Sequence, residues 1–132
     1  MTVLFDSSVL IDLLTGSDWA DRVADEMERI ADDSFAINPL IYAEVSLPYP
    51  SLAELDADLN RLVLTRLDLP WEAAFLAGRA FQAYKRRGGL RTSPMPDFYI
   101  GAHAVVSGLT LLTRDANRYR TYFPDLEIIA PG

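Results

Sequence analysis

The sequence predicts an α/β fold in which helices cover both faces of a short parallel sheet. Its apolar runs are short and lack polar alternation, as expected for strands that are buried on both faces. Segments with helical periodicity separate these runs, which is the order produced when helices connect parallel strands. The chain has 132 residues, 50% of them hydrophobic, and this length can bury a substantial core. We therefore expect residues 1–132 to form a single domain.

Capping residues and a glycine divide the first half of the chain into two strands and four helices. Gly16 ends the first helix. Asn38 and Pro39 are a cap and first-position pair that begins the third helix. Ser51 begins the fourth helix, and Glu54 three residues later completes a capping box. The predicted strands are 2–5 and 35–37, and the predicted helices are 9–14, 17–32, 39–47 and 51–63.

The second half of the chain is predicted to contain three more strands and three more helices. Pro70 begins a long helix, which Gly88 and Gly89 end. A loop with two prolines follows at residues 90–96, and Gly108 closes the next helix. The predicted strands are 66–69, 109–112 and 126–129, and the predicted helices are 70–87, 97–107 and a short helix after Asp115.

The amino-acid composition excludes several classes of site. The chain has no cysteine, so disulfides and thiolate metal sites are excluded and a metal would need oxygen ligands. Its single histidine, His103, excludes mechanisms that need two; a packing or surface role is expected, with a catalytic base as the alternative. The N-terminus has no basic region before its first apolar run, and no run approaches the roughly 20 apolar residues of a membrane span. We therefore expect a cytoplasmic protein without a membrane partner.

Charge is distributed unevenly along the chain. Residues 1–76 contain 15 acidic and 4 basic residues, whereas residues 77–132 contain 4 acidic and 8 basic residues. All but one of the basic residues are arginine, whose guanidinium suits bidentate contact with phosphate. A solvated helix end, where cations are favourable, is the ordinary alternative for this basic cluster. The candidate phosphate contacts are Arg86, Arg87, Arg91 and Arg114.

Four acidic residues stand where predicted strands and helices begin or end. Asp6 and Asp115 follow two strands, Asp97 begins a helix, and Glu44 lies inside an apolar helix. Functional groups of parallel sheets gather at the carboxyl ends of the strands, so Asp6 and Asp115 would be neighbours if their strands are adjacent. The three aspartates could each instead cap a helix. Glu44 has no capping use, and its alternative is a surface residue.

Carboxylates that lie close together repel one another, so a site built from these four acids needs protonation or a bound cation. Mg²⁺ or Mn²⁺ is the natural occupant of such a set of oxygen ligands. Ser8 and Thr113, each two residues from a candidate ligand, are predicted to orient a carboxylate or a metal-bound water. A helix cap and an ordinary strand residue are the alternatives for these two. Tyr119 is expected to be a core residue.

Four segments of the chain carry the four acids in an order known from one family. They are 6–12 (DSSVLID), 42–45 (YAEV), 96–104 (PDFYIGAHA) and 112–115 (LTRD). Together they resemble the acidic motifs of PIN-domain ribonucleases and, within that superfamily, those of the VapC toxins of bacterial and archaeal toxin–antitoxin pairs. Each motif alone is a weak indicator of this family, but the four in this order are a strong one. The resemblance covers residues 3–129.

The resemblance implies a PIN-like three-layer α/β/α sandwich with strand order 3-2-1-4-5, in which the first and fourth strands are neighbours. It implies a Mg²⁺- or Mn²⁺-dependent endoribonuclease whose catalytic residues and metal ligands are Asp6, Glu44, Asp97 and Asp115. A metal-activated water would attack an RNA phosphodiester. The resemblance further implies a homodimer that a cognate VapB-type antitoxin holds inactive. Many relatives have Asn at the position of Ser8, which alters the contact expected there.

Three other functions fit fewer of the residues. A phosphatase of the haloacid dehalogenase type also has Asp after its first strand, but it expects another Asp where this chain has Ser8. A non-catalytic PIN-like interaction module, in which the acids are caps, predicts that replacing Asp6 and Asp97 by asparagine leaves function intact. A PIN-type nuclease that is not paired with an antitoxin is the third alternative.

Overall fold

A computed structural model describes residues 1–92 and 95–132, so that Ser93 and Pro94, within the predicted loop 90–96, lie outside the described residues. Five strands and seven helices are present in the described part. The strands are β1 (Thr2–Phe5), β2 (Ser34–Ile37), β3 (Leu64–Arg66), β4 (Thr110–Leu112) and β5 (Ile128–Ile129). The helices are α1 (Ser7–Thr15), α2 (Ala20–Arg29), α3 (Pro39–Val45), α4 (Leu52–Leu59), α5 (Trp71–Arg86), α6 (Pro96–Ser107) and α7 (Ala116–Tyr122).

The five strands form one parallel sheet in the order β3-β2-β1-β4-β5. This order and the α/β/α architecture confirm the predicted fold class. The central strand β1 explains why the pattern could be recognised, because Val3, Leu4 and Phe5 are all fully buried. A strand covered on both faces has no polar side to alternate with its apolar side.

The edge strand β3 lies two residues earlier than predicted. It covers Leu64–Arg66 and pairs with β2, with Leu64 opposite Phe35, whereas the prediction was 66–69. The predicted helix before it, 51–63, was also too long, because α4 ends at Leu59. In β3 only Leu64 is partly buried and the next two residues are exposed. A half-exposed edge strand has few apolar residues to mark it. The apolar residues after it therefore led to a predicted strand that lies too far along the chain.

The second helix and the last strand are shorter than predicted. α2 begins at Ala20 rather than at residue 17, since Trp19 takes the cap position without a side-chain bond. Ser17 donates instead to Asp12 Oδ1 at 2.7 Å. The predicted strand 126–129 is reduced to the two residues of β5. Within residues 1–92 and 95–132, none of the helices combines the length and the apolar character that crossing a membrane requires.

Candidate active site

The register of the two central strands places Asp6 beside Thr113. Phe5 lies opposite Leu112 in the β1–β4 pair, and the Asp6 backbone N–H donates to the Leu112 carbonyl at 2.9 Å. Asp6 and Thr113 are therefore the first residues beyond two adjacent strand ends, at the edge of the sheet where parallel folds gather functional groups. Both side chains are buried, with Asp6 only 3% exposed.

The Asp6 carboxylate accepts four hydrogen bonds. Oδ1 accepts from the Ser7 backbone N–H and from the Tyr119 hydroxyl, each at 2.9 Å. Oδ2 accepts from the Thr113 hydroxyl at 2.7 Å and from the Ser8 hydroxyl at 3.1 Å. These bonds fix the orientation of the carboxylate before any ligand arrives. Ser8 and Thr113 thus contact the carboxylate that they were predicted to orient, and the bond from Ser7 gives Asp6 a capping role on α1 as well.

Burial dominates the ionisation of Asp6. Loss of water around the carboxylate raises the pKa of Asp6 above its ordinary value, although the hydrogen bonds from Thr113, Tyr119 and Ser8 act in the opposite direction. The negative charge of Asp97 raises this pKa further. Asp97 is thus close enough to influence Asp6.

Glu44 lies on α3 and faces Asp6. We call the four acids Asp6, Glu44, Asp97 and Asp115 the cluster. Its side chain is partly buried, and its Oε1 accepts from the Ser7 hydroxyl at 2.9 Å. Burial raises the pKa of Glu44, and the charges of Asp6 and Asp97 raise it further, while the Ser7 hydrogen bond and Arg118 lower it. Glu44 is therefore close to the other acids and is not a surface residue at a distance from them.

Asp97 does not cap α6, contrary to the capping alternative. Met95 holds the cap position without a side-chain bond, and Asp97 lies in the first turn of the helix. Its Oδ2 instead accepts from Arg118 Nη1 at 2.8 Å. The carboxylate is thus turned toward α7, and its partner is a cation that this chain supplies.

Asp115 occupies the cap position of α7, but its side chain makes no capping bond. Its backbone N–H donates to the Thr113 hydroxyl at 3.0 Å, so the hydroxyl that donates to Asp6 also accepts from Asp115. Asp97 raises the pKa of Arg118, and Asp115 adds to this effect. Asp115 is therefore connected to the cluster through Thr113 and Arg118.

The four acids suit a divalent cation by the chemistry of their oxygen atoms rather than by an arrangement already formed around a metal site. Among residues 1–92 and 95–132, no group of three or more carboxyl, imidazole or thiol side chains is arranged to hold a metal ion. The available donors are nevertheless all carboxylate oxygens, which hard cations such as Mg²⁺ prefer. Repulsion from Asp97 contributes to the raised pKa of Asp6 and of Glu44, and a cation would offset this repulsion. The assignment of the four acids as ligands therefore stays a prediction.

Arg114 has a protein partner in place of the phosphate that was predicted for it. Its Nε lies 2.8 Å from Asp12 Oδ2, and its guanidinium carbon lies 5.1 Å from the centre of the Trp19 ring. Asp12 is only 2% exposed. A buried carboxylate left without its cation is costly, so this ion pair holds Arg114 more firmly than a surface pair would.

The other three candidate phosphate contacts are exposed at and beyond the end of α5. They are Arg86, Arg87 and Arg91. The guanidinium carbon of Arg87 lies 5.7 Å from the centre of the Tyr122 ring on α7. This contact brings the basic end of α5 next to the helix that follows Asp115. The role of the three arginines in RNA binding stays a prediction.

Sequence reasoning missed three residues that contact the acids, Tyr119, Ser7 and Arg118, and one, Asp12, that pairs with Arg114. Tyr119 was expected in the core and is indeed 1% exposed, but its hydroxyl also binds Asp6. Asp12 could have been found, because it is an acid in an apolar helix, as Glu44 is. Ser7 and Arg118 gave no distinctive signal, since a serine at a helix start and an arginine in a short polar helix are common.

His103 is buried, in agreement with the packing interpretation. It is 1% exposed, and its Nδ1 lies 2.9 Å from the Asn38 side-chain nitrogen. Asn38 can only donate from that nitrogen, so Nδ1 is the acceptor and the ring is neutral. Burial lowers the pKa of His103 in the same sense.

Replacing Glu44 by glutamine should stabilise the metal-free protein at neutral pH. A carboxyl whose pKa is raised by folding contributes stability below its ordinary pKa of 4.5, and this contribution is lost as the pH rises through the raised value. Glutamine keeps the acceptor for Ser7 and removes the charge. We expect Glu44→Gln to raise Tm at pH 7 by roughly 2–4 °C and to flatten the decline in stability as the pH rises above 4.5, measured by thermal unfolding in EDTA.

Glu127→Gln is the matched control, since Glu127 is exposed and is not a member of the cluster. Its Tm should follow that of the wild-type protein at every pH. Equal Tm values for wild type and Glu44→Gln throughout this range would show that Glu44 carries no electrostatic strain.

Comparison with known proteins identifies a matching family and several solved structures with a similar fold. A sequence model of the PIN domain matches residues 3–124. No curated protein matches the chain. Three similar solved structures are VapBC2 from Rickettsia felis bound to a DNA fragment from their promoter, DNA-bound VapBC from Salmonella typhimurium, and a toxin–antitoxin complex from Klebsiella pneumoniae.

The fold likeness to these structures extends over whole chains. The Rickettsia felis protein is 17% identical at a TM-score of 0.78, with 100% of both chains covered. The Salmonella typhimurium protein is 20% identical at 0.74, and the Klebsiella pneumoniae protein is 23% identical at 0.70, each with 98% of both chains covered. At these identities the likeness establishes a shared fold.

Proposed function

We propose, because the chain belongs to the PIN domain family, that it is a metal-dependent endoribonuclease and the toxin of a VapBC-type toxin–antitoxin system. The observation that carries the nuclease proposal is the gathering of acids at the end of β1, where Ser7 donates to both Asp6 and Glu44 and the charge of Asp97 raises the pKa of both. Stability alone does not favour placing like charges together in a partly buried site. Titratable groups perturbed in this way are typical of functional sites.

In this proposal Asp6 is the central ligand and catalytic residue. Its four hydrogen bonds occupy the acceptor sites of both carboxylate oxygens, so a cation would take the place of one donor while the others keep the carboxylate oriented. Thr113 and Tyr119 position Asp6, and Ser7 positions Glu44. Glu44, Asp97 and Asp115 complete the set of proposed ligands.

Mg²⁺ or Mn²⁺ is the proposed cofactor. When bound, such a cation stabilises negative charge on a phosphoryl oxygen and lowers the pKa of water. The chain would contribute the carboxylate oxygens of the four acids, of which only Asp6 is buried, and the hydroxyls of Ser8 and Thr113 that orient Asp6.

The RNA is proposed to approach over α5 and α7. Arg86, Arg87 and Arg91 are exposed there and can donate bidentate hydrogen bonds to phosphates. Arg114 is proposed as a weaker contact, because it would have to leave the buried Asp12.

The proposed partner is a VapB-type antitoxin, and the proposed assembly is a cytoplasmic homodimer. The antitoxin is supported by the similar structures, which are VapBC or toxin–antitoxin complexes. The first check is whether a short reading frame lies immediately upstream, and its absence would count against the toxin assignment; co-expression with its product, followed by gel filtration, is the direct test. A stable complex that no longer cleaves RNA is expected; two separate peaks would leave the nuclease without this partner.

Replacing Asp97 by asparagine should lower RNA cleavage by on the order of 10²-fold, equivalent to about 3 kcal/mol of transition-state stabilisation. The substitution keeps the shape of the side chain and removes the charge that couples to Asp6 and Glu44. The measurement is the initial rate of cleavage of a panel of structured RNAs by purified protein, with Mg²⁺ or Mn²⁺ and with EDTA.

Asp125→Asn provides the control for the loss of one negative charge, because Asp125 is exposed in the turn before β5. It should cleave RNA at the wild-type rate. Identical cleavage by wild type and Asp97→Asn, or cleavage that persists in EDTA, would contradict the proposed mechanism, whereas absence of cleavage by the wild type with either metal would favour a non-catalytic interaction module.

A further inference from the structure

Arg118 is the cation that this chain places among its own acids. It lies on α7 next to Tyr119, whose hydroxyl is bonded to the buried Asp6. Its Nη1 donates to Asp97 Oδ2 at 2.8 Å. Its charge also lowers the pKa of Glu44. The guanidinium therefore acts on more than one member of the cluster and offsets part of the negative charge that a divalent cation would otherwise offset.

The ion pair between Arg118 and Asp97 is of a kind that exchanges partners easily. The side chain of Arg118 is 58% exposed and that of Asp97 is 21% exposed. Exposed ion pairs stabilise a protein little, because water screens the charges and ordering a long side chain costs entropy. A doubly charged cation that also binds neighbouring carboxylates interacts with Asp97 more strongly than a single guanidinium does. The pair of Arg114 with the buried Asp12 is the contrasting case within the same segment.

A guanidinium released from Asp97 stays close to the site. Tyr119 anchors α7 to Asp6, so the backbone of Arg118 keeps its position while the side chain moves. Arginine presents a planar fork of donors that matches the oxygens of a phosphate. Arg87 lies beside the same helix, as its contact with the Tyr122 ring shows. Phosphate is therefore the acceptor that would replace the Asp97 carboxylate.

We propose that Arg118 exchanges partners: its guanidinium holds Asp97 in the metal-free protein and, once a divalent cation takes Asp97, binds a phosphate of the RNA. This inference rests on the proposed nuclease function and adds a specific residue to it. It makes Arg118 a competitor of the cation before binding and a substrate contact afterwards.

The first test is cation affinity, measured by calorimetric titration of the purified protein with Mn²⁺ in the absence of RNA. Arg118→Gln removes the competing charge and should bind Mn²⁺ about 3–10 times more tightly than wild type. Arg120→Gln, which removes an exposed arginine from the same helix, should bind as wild type does. Unchanged or weaker Mn²⁺ binding by Arg118→Gln would overturn the proposal.

The second test is a double-mutant cycle for RNA binding in EDTA, with a fluorescently labelled RNA stem-loop as the probe. Asp97→Asn frees Arg118 without any metal and should tighten RNA binding by about 5–10-fold over wild type. Introduced into Arg118→Gln, Asp97→Asn should tighten RNA binding by less than about 2-fold. Introduced into Arg120→Gln, it should give the full gain, because the cycle isolates the coupling between Asp97 and Arg118. Equal gains in all three backgrounds would overturn the proposal.

These binding measurements separate this inference from the nuclease proposal. RNA cleavage by wild type together with an uncoupled cycle would refute the role of Arg118 alone. Absence of cleavage with every metal, together with a coupled cycle, would refute the nuclease while leaving the exchange of partners in place. Arg118→Lys keeps the charge without the planar fork, and in the cycle it should retain only part of the gain in RNA affinity.

Discussion

Replacing Asp6 by asparagine should reduce RNA cleavage by on the order of 10³-fold or more, the largest loss expected from any single substitution in this chain. Asp6 is the most buried of the four acids; the charge of Asp97 raises the pKa of Asp6, and the charge of Asp6 raises that of Glu44. Stabilisation of phosphoryl charge by a cation is worth several kcal/mol, and each 1.36 kcal/mol corresponds to about tenfold in rate. The measurement is the initial rate of RNA cleavage at saturating Mg²⁺ or Mn²⁺.

The fold should survive this substitution, because the surrounding donors can adapt. The asparagine oxygen can continue to accept from the Ser7 N–H and the Tyr119 hydroxyl. The asparagine nitrogen would face the hydroxyls of Ser8 and Thr113, which can rotate and accept instead of donating. We expect the free energy of unfolding in urea to change by less than about 1 kcal/mol in the absence of divalent cations.

Asp125→Asn again controls for the loss of one charge and should retain the wild-type cleavage rate. Wild-type cleavage by a folded Asp6→Asn protein would show that Asp6 is a helix cap and nothing more. The cleavage would then depend on other residues, and the proposed set of ligands would be wrong.

The fold was predictable where both faces of a strand are buried and where caps are chemically distinct. β1 is buried on both faces, and Asn38 caps α3 by accepting from the Ile41 N–H, as its sequence position predicts. β3 was misplaced because an edge strand with exposed residues at Thr65 and Arg66 has little apolar pattern. Hydrophobic periodicity therefore located the centre of the sheet better than its edge.

The site was predictable only as far as the backbone determines it. Strand ends place Asp6 and Thr113 together through β-sheet register, and a parallel-sheet prediction contains that information. The partners of Asp97 and Glu44 depend instead on how α3, α6 and α7 pack, and side-chain contacts between distant segments have no local sequence signal. The ion pair of Arg114 with Asp12 is subject to the same limit, because the burial of Asp12 was not visible in the sequence.

The packing of α6 against α7 depends on one glycine, and Gly101→Ala should lower the free energy of unfolding by about 1–3 kcal/mol. A Cβ at position 101 would lie 2.5 Å from Phe123 Cε2 and 3.1 Å from Tyr119 Cδ1. Neither ring can move freely, since Phe123 is only 5% exposed and Tyr119 only 1% exposed. The two helices must therefore separate, even though alanine favours a helix over glycine by about 1 kcal/mol. Urea unfolding measures the loss.

Gly78→Ala is the matched control, because Gly78 also lies inside a helix and a Cβ there would have no atom within 4 Å. It should gain up to about 1 kcal/mol from helix propensity alone, so the difference between the two variants isolates the steric cost. Separation of α6 from α7 would also move Tyr119 away from Asp6 and Arg118 away from Asp97. Gly101→Ala should consequently lose cleavage activity at temperatures where it is still folded, whereas Gly78→Ala should not. Equal stability of the two variants would mean that the glycine is not what sets the distance between the helix carrying Asp97 and the helix carrying Arg118.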